Sequence, residues 1–468
     1  MELKKVYKMV THNLTDSINL VSDWIGYYNE NIHKLSVLPK VEFGEILNQL
    51  PKNPEEFPED FKKIFEDFKT IILPGITHWQ HPKFFAYFPS NTSPPSLLAE
   101  MVICALGVQG MSWVTSPAAT ELEICVMDWL RKMIGLPSCF TGVIQDSASS
   151  STMIAMTVAR EKISNFTTNK TGIQDLKLVA YCSVDAHSSV EKSAKIIGIG
   201  SDNLRKIPIN QKQQMDIEIL KRTIEDDIKN GFKPFFIVGT FGTTSSASID
   251  PLQEIAQLSK NYGIWFHVDA AYAGSALILP EIREMAIGIC EADSIVFNPH
   301  KWLFTSFECS AFFIRNKNEL LNTFEILPEY LKTNDSKAVV NFRDWGLGLG
   351  RKFRSLKLWF VIRWYGIQGL QNMIRSHIEY AKKLENIIKE DNRFEFMANR
   401  YFALICFRLK GSDELNYKFM DKINKSGKLY LSHTKLNEKF VLRLSLGQTN
   451  LTEKNVIEAW QDILSLVD

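Results

Sequence analysis

The feature that most narrows what this chain can become is a repeated order of elements. Between about residues 91 and 365, short apolar runs at 176–182, 234–240, 263–268, 293–297 and 309–314 alternate with helix-patterned stretches at 152–162, 188–196, 216–230 and 251–261. Alternation of this kind predicts an α/β domain with a largely parallel central sheet covered by helices. Ligands of such sheets bind beyond the carboxyl ends of the strands. At 468 residues the chain exceeds one ordinary core, so further blocks are expected. Residues 1–90 form a helical segment. Leu3, Val6, Tyr7, Val10 and Leu14 recur at helical spacing, Val21, Trp24 and Ile25 continue the stripe, and helices are predicted at 41–50 and 60–72. This block has little to make a core of its own and is expected to pack on another subunit or domain. Residues 366–468 read as a small C-terminal α+β domain: a long helix, then strands near 394–397 and 401–408. Ser116-Pro117 ahead of Glu121 marks a helix start, a capping serine with proline at the first helical position.

Charge narrows the partners. Fifty-four basic residues face 53 acidic ones, for a net charge of +1, so no basic surplus points to nucleic acid or an anionic membrane. The start, Met1-Glu2-Leu3-Lys4-Lys5, lacks the apolar run of a secretory signal, and no stretch is long enough to span a bilayer. A cytoplasmic location is the expectation. The seven cysteines are scattered without CxxC spacing and read as reduced thiols. His78 and His81 stand three apart, but Pro82 and the aromatic residues around them predict a packed loop; no metal is expected.

Two of the apolar runs end on reactive groups. Ile264-Trp265-Phe266-His267-Val268 leads into Asp269, and Ser294-Ile295-Val296-Phe297 leads into Asn298-Pro299-His300-Lys301, so two apolar strands deliver a carboxylate and an amine 32 residues apart. That pair suits pyridoxal 5'-phosphate (PLP). The amine condenses with the aldehyde, and the carboxylate holds a proton on the pyridine nitrogen through a charge-assisted hydrogen bond. A phosphate also needs N–H groups at a helix start, and Gln145-Asp146-Ser147-Ala148-Ser149-Ser150-Ser151-Thr152 provides one. His187, between a strand and a helix, can cover the ring face; by itself a histidine there is more often structural.

These segments resemble a known family. His267-Val268-Asp269-Ala270-Ala271-Tyr272-Ala273-Gly274 with Asn298-Pro299-His300-Lys301-Trp302 is similar to the group II PLP-dependent decarboxylases. His81-Pro82-Lys83-Phe84-Phe85-Ala86-Tyr87-Phe88-Pro89, Ser116-Pro117-Ala118-Ala119-Thr120-Glu121-Leu122-Glu123 and Arg354-Ser355-Leu356-Lys357-Leu358-Trp359 resemble its aromatic L-amino-acid decarboxylase and aromatic aldehyde synthase branch. The resemblance runs from about residue 5 to 465 and implies the PLP-dependent transferase fold type I, an obligate homodimer whose N-terminal helices wrap the partner, and an aromatic L-amino acid as substrate. It assigns Lys301 to the covalent hold on the cofactor, Asp269 to the pyridinium, Ala271 to the lower ring face and His187 to the upper face and the substrate carboxylate. Ala148, Ser149, Asn298 and His300 fall at the phosphate end and Thr244 beside the ring. Trp79, Tyr87, Phe88, Pro89 and Met111 fall in the side-chain pocket, Met111 where animal members often carry phenylalanine.

One departure bears on the product. The family's mobile loop carries a tyrosine just before an Arg/Lys–x–Trp segment, and in Asn341-Phe342-Arg343-Asp344-Trp345 that position falls on Phe342. Loss of CO2 leaves a carbanion that a phenol protonates to give an amine. Phenylalanine has no proton to give, and dioxygen then becomes a co-substrate. The expectation is oxidative deamination to an aromatic acetaldehyde with CO2, ammonia and hydrogen peroxide. The alternative is that Phe342 is a packing residue, that Tyr330 upstream supplies the proton, and that the amine is released. Gly346, Gly348 and Gly350 are read as a hinge, and Arg351 and Arg354 as surface or interface charges. Two other readings weigh less. An acidic amino acid substrate would want arginines where residues 84–89 are aromatic, and a cofactor-free dimeric binding module would have no use for Lys301, Asp269 and His187 together.

Overall fold

The computed structural model describes residues 14–326 and 339–467. Leu3, Val6, Tyr7 and Val10 of the N-terminal stripe, and Tyr330, lie outside the described residues.

A seven-stranded sheet forms the centre. Its strands are β1 (Thr141–Gln145), β2 (Leu178–Ser183), β3 (Leu204–Ile207), β4 (Lys233–Thr240), β5 (Trp265–Asp269), β6 (Ser294–Phe297) and β7 (Ser310–Ile314), in the order β1-β7-β6-β5-β4-β2-β3. From β6 across to β3 every pairing is parallel, and β7 alone runs against its neighbours β6 and β1. Strands β2, β5, β6 and β7 are buried along their whole length, and β4 is buried beyond Lys233. Helices cover both faces, which is why these strands read as continuous apolar runs rather than alternating ones. The five predicted strands are all present within two residues of their expected ends. Strands β1 and β3 had not been expected. Gly142 interrupts the apolar run of β1, and Arg205-Lys206 splits that of β3, an edge strand with an exposed lysine.

The helices start where capping chemistry puts them. Ser116 accepts the Ala119 N–H ahead of Pro117–Met133, Ser147 accepts the Ser150 N–H ahead of Ala148–Ile163, and Asp216 accepts the Ile219 N–H ahead of Ile217–Lys229. The helix expected at 41–50 contracts to Glu45–Gln49, entered through Gly44 at φ +88°. The long helix expected after residue 366 begins earlier, spanning Ser355–Lys389 with a break at Gly366, whose φ is +64°. Beyond it, β8 (Phe394–Phe396), β9 (Leu404–Leu409), β10 (Ser432–Leu436) and β11 (Lys439–Ser445) make a small antiparallel sheet in the order β10-β11-β9-β8.

The Leu14–Asn31 helix buries none of its residues, and Leu14, Ile18 and Tyr27 on it are exposed, as are Leu98, Met101, Val102 and Leu106 of the Pro94–Leu106 helix. The His78 loop is tied from this side: the Tyr28 hydroxyl lies 2.7 Å from His78 Nδ1. Among the described residues no helix is long and apolar enough to cross a membrane.

Candidate active site

The site lies at the carboxyl ends of β4, β5 and β6. Asp269, the last residue of β5, sits in register with Thr240 of β4 and Val296 of β6 and is 5 % exposed. Its Oδ1 accepts the Ala271 N–H at 3.0 Å, and the Ala271 carbonyl accepts the Asn298 N–H at 3.0 Å, so the turns after β5 and β6 are tied together. Asn298 opens the one-turn helix Pro299–Trp302, which carries Lys301 inward. Asp269, Lys301, Asn298, Thr240 and Ala271 line one chamber of about 190 Å³. Ala148 and Ser149, at the start of the helix that follows β1, form its floor, and His187 and Thr244 complete the rim.

Burial sets the charge states. The Lys301 amine is pushed below the ordinary lysine value by burial; Asp269 opposes that shift and Arg443 adds to it. His187 is pushed down by burial, again opposed by Asp269. His187 is exposed and lines the cavity. The Ser189 N–H donates to His187 Nδ1 at 3.2 Å, so the neutral ring carries its proton on Nε2. His300 is held down at about 3 by burial, and its Nδ1 accepts the Cys309 N–H at 2.9 Å, which again leaves the proton on Nε2.

A second, more open cavity of about 610 Å³ continues outward from the chamber and shares Phe88, His187, Thr244 and Lys301 with it. Trp79, Tyr87, Pro89 and His300 line it. Phe88 lies beneath the Lys301 amine at 5.5 Å from ring centre to Nζ, and it stacks on Tyr272 at 3.9 Å. Sequence reasoning missed Arg443, which lines the same cavity from β11. Arg443 is 4 % exposed. Its Nε donates to the Ser245 carbonyl at 3.0 Å and its Nη1 to the Ser432 hydroxyl at 2.9 Å, while Nη2 has no partner among the described residues. This buried guanidinium, hydrogen-bonded only to neutral oxygens and 5.1 Å from the Phe88 ring centre, borders the cavity without a counter-ion among the described residues, which suits an anion. The signal was present as a lone charge inside the apolar run Phe440-Val441-Leu442-Arg443-Leu444.

Two expected members are elsewhere. Met111 lines neither cavity of this chain; it is half-buried, and its carbonyl accepts the Arg343 N–H at 2.8 Å. Phe342 is 2 % exposed, edge-on to Trp345 at 5.4 Å, with the Arg351 guanidinium 4.7 Å from its ring, and it too lines neither cavity. Arg351 and Arg354 are not surface charges either. Arg351 is 7 % exposed and pairs with Glu123 at 2.6 Å, and Arg354 pairs with Glu308.

The chamber fits PLP by its own chemistry. Asn298 Oδ1 is a buried polar atom with no partner among the described residues. The helix capped by Ser147 brings Ala148 and Ser149 of its first turn, whose N–H groups lack intrahelical partners, to the chamber wall, and a carboxylate and a low-basicity amine share the same walls. The profile of the pyridoxal-dependent decarboxylase conserved domain matches residues 44–410. The chain belongs to the pyridoxal-dependent decarboxylase family. It is therefore a decarboxylase, and its cofactor is PLP. Among its relatives, tryptophan decarboxylase 2 of Oryza sativa subsp. japonica is 43% identical, over 94% of this chain and 91% of the relative. Phenylacetaldehyde synthase of Arabidopsis thaliana is 42% identical, over 98% and 97%. The crystal structure of the Oryza sativa enzyme TDC with PLP and tryptamine superposes with a TM-score of 0.94 at 34% identity, covering 97% of this chain and 98% of that one. This decarboxylase thus has the fold type I architecture expected from its sequence.

Proposed function

We propose that this decarboxylase removes the α-carboxylate of an aromatic L-amino acid and releases the amine. When bound, PLP supplies the electron sink for the electron pair left at the α-carbon. The chain's own residues do the rest. Lys301 holds the cofactor covalently, and its low basicity keeps a share of the amine neutral for that bond. Asp269 holds the proton at the pyridine nitrogen. Ala148, Ser149 and Asn298 would take the phosphate end, Thr244 would lie beside the ring, and Ala271 and the His187 imidazole would pack on its two faces, while His300 stands in the outer cavity. Arg443 Nη2, with the Nε2–H of His187, orients the substrate carboxylate. Trp79, Tyr87, Phe88 and Pro89 form an aromatic wall that suits a flat side chain. The chain acts as a homodimer, with the exposed apolar faces of the Leu14–Asn31 and Pro94–Leu106 helices as the surface to be covered.

The position of Phe342 carries the choice of product. Relatives named for the amine and for the aldehyde reaction are about equally similar, so identity does not choose between them. The aldehyde expectation needed Phe342 over the reacting carbon. Phe342 packed between Trp345 and Arg351, away from both cavities, supports the amine reading. In this reading the proton comes from Tyr330, which lies outside the described residues. The test is to incubate the holoenzyme with L-phenylalanine, L-tyrosine, L-DOPA and L-tryptophan and to measure amine, CO2, aldehyde and peroxide. Amine equal to CO2, without peroxide, is expected; stoichiometric peroxide and aldehyde would overturn the proposal. Phe342→Tyr leaves that outcome as it is, whereas Tyr330→Phe diverts turnover to aldehyde and peroxide.

A further inference from the structure

The outer wall of the substrate cavity contains a hydroxyl pair that aromatic packing does not require. Tyr87 lines the cavity, and its hydroxyl lies 3.2 Å from that of Tyr430, which does not. Tyr430 is built into the wall. Its N–H donates to the Lys83 carbonyl at 3.2 Å, its carbonyl accepts the Phe85 N–H at 2.9 Å, and its ring meets Phe84 edge-on at 5.6 Å. Tyr87 is held equally firmly. Its φ is +55°, a left-handed conformation that bulky residues rarely adopt. Its N–H donates to Ser432 Oγ at 2.9 Å, and its ring stacks on Trp79 at 5.7 Å with 16° between planes. The backbone and the ring stack therefore fix the direction in which the Tyr87 phenol points.

Two phenols in contact share one hydrogen bond, in which one donates and the other accepts. The acceptor keeps its own O–H, and neither hydroxyl has another partner among the described residues. The pair thus offers one unused donor and unused acceptor lone pairs at the edge of an aromatic-walled cavity. We infer that Tyr430, acting through Tyr87, is a specificity-determining positioning residue that favours substrate rings bearing a hydrogen-bonding group, a phenol O–H or an indole N–H, over the bare ring of phenylalanine. A pocket built to bond a polar group discriminates strongly against the analogue that lacks it, whereas one that only packs an aromatic face does not. This inference rests on the proposed aromatic L-amino acid substrate and adds a preference among such substrates.

The experiment is steady-state kinetics of the holoenzyme with L-tyrosine, L-tryptophan and L-phenylalanine, for the unaltered chain, Tyr430→Phe and Tyr87→Phe. The unaltered enzyme should prefer tyrosine and tryptophan by kcat/KM. Each variant should reduce that preference about fivefold to tenfold, the worth of one hydrogen bond, and the loss should fall in KM for the two polar-ringed substrates. A merely structural Tyr430 would lower all three substrates together and leave the ratios unmoved, which would overturn the inference. So would an unaltered enzyme that turns over phenylalanine as well as tyrosine. Absence of turnover of all three acids would overturn the aromatic-substrate reading itself, and this inference with it.

Discussion

Lys301 and Arg443 are two cations on one cavity wall, with Asp269 the carboxylate that acts on the lysine. Burial and the guanidinium both lower the lysine's basicity, so the two cations have linked roles: one bonds as a neutral amine, the other stays charged for an anion. Arg443→Met tests the second role. Removing a charge-assisted bond to the substrate carboxylate raises KM about tenfold or more, with a smaller effect on kcat; an unchanged KM would mean that His187 alone orients the carboxylate. Loss of the charge should also raise the Lys301 pKa, moving the pH dependence of PLP reconstitution of the apoenzyme, read from visible absorbance, toward the ordinary lysine value. Lys301 and Asp269 were legible in the sequence because each ends an apolar strand, and strand ends are where this architecture binds ligands. Arg443 was not, because its role depends on the Ser245 and Ser432 oxygens, 198 and 11 residues away, and on a cavity that no local pattern describes. That Phe342 turns its ring toward Trp345 and Arg351 was not legible, because a position in a loop does not reveal which way a side chain turns.

Strand β1 is held by a clamp of the same long-range kind. Arg351 Nη2 donates to the Ile144 carbonyl at 2.8 Å and to Glu123 Oε1 at 2.6 Å, and the same carboxylate oxygen accepts the Ile144 N–H at 2.9 Å. Both backbone groups of one residue are thus fixed two residues before Asp146-Ser147, where the cofactor-facing helix begins. Gln145 Nε2 donates to the Trp345 carbonyl at 3.1 Å, and a Cβ on Gly346 would come within 3.1 Å of Gln145 and of Ile154. Gly346 therefore serves close approach, and its φ of 169° is ordinary extended backbone rather than a hinge conformation. Arg351→Met leaves Glu123 buried without its partner and should cost about 3–5 kcal/mol of stability. It should also weaken PLP retention on dialysis, because the exit of β1 loses its anchor. A variant with unchanged melting temperature and cofactor content would show the clamp to be dispensable. Reading Arg351 as a surface charge was the natural error, since its partner lies 228 residues away.

Among the described residues, burial pushes five buried histidines toward the neutral form, His78 among them. Burial lowers His81, His267 and His377 to about 4 and His300 to about 3. In the unfolded chain each titrates near 6.5. Between those values the unfolded state binds more protons than the folded one, so stability is full above about pH 6.5 and falls as pH drops toward 4, each histidine contributing up to about 1 kcal/mol per pH unit. Melting temperature followed from pH 7.5 to 4.5 should decline steadily below about 6.5; a flat profile would mean that these rings gain protons without unfolding.

The reversed direction of β7 has one more consequence. Because β7 turns back between β6 and β1, the first strand of the sheet ends on the same rim as β5 and β6, and it joins the sheet through the pairing of Thr141–Gln145 with Ser310–Ile314. The phosphate cradle and the anchoring amine therefore meet only after the polypeptide has been synthesised through residue 314 and that segment has left the ribosome. A nascent fragment ending before it would have the lysine but no assembled seat for the vitamin B6 derivative, so capture of the coenzyme belongs to the last stage of maturation.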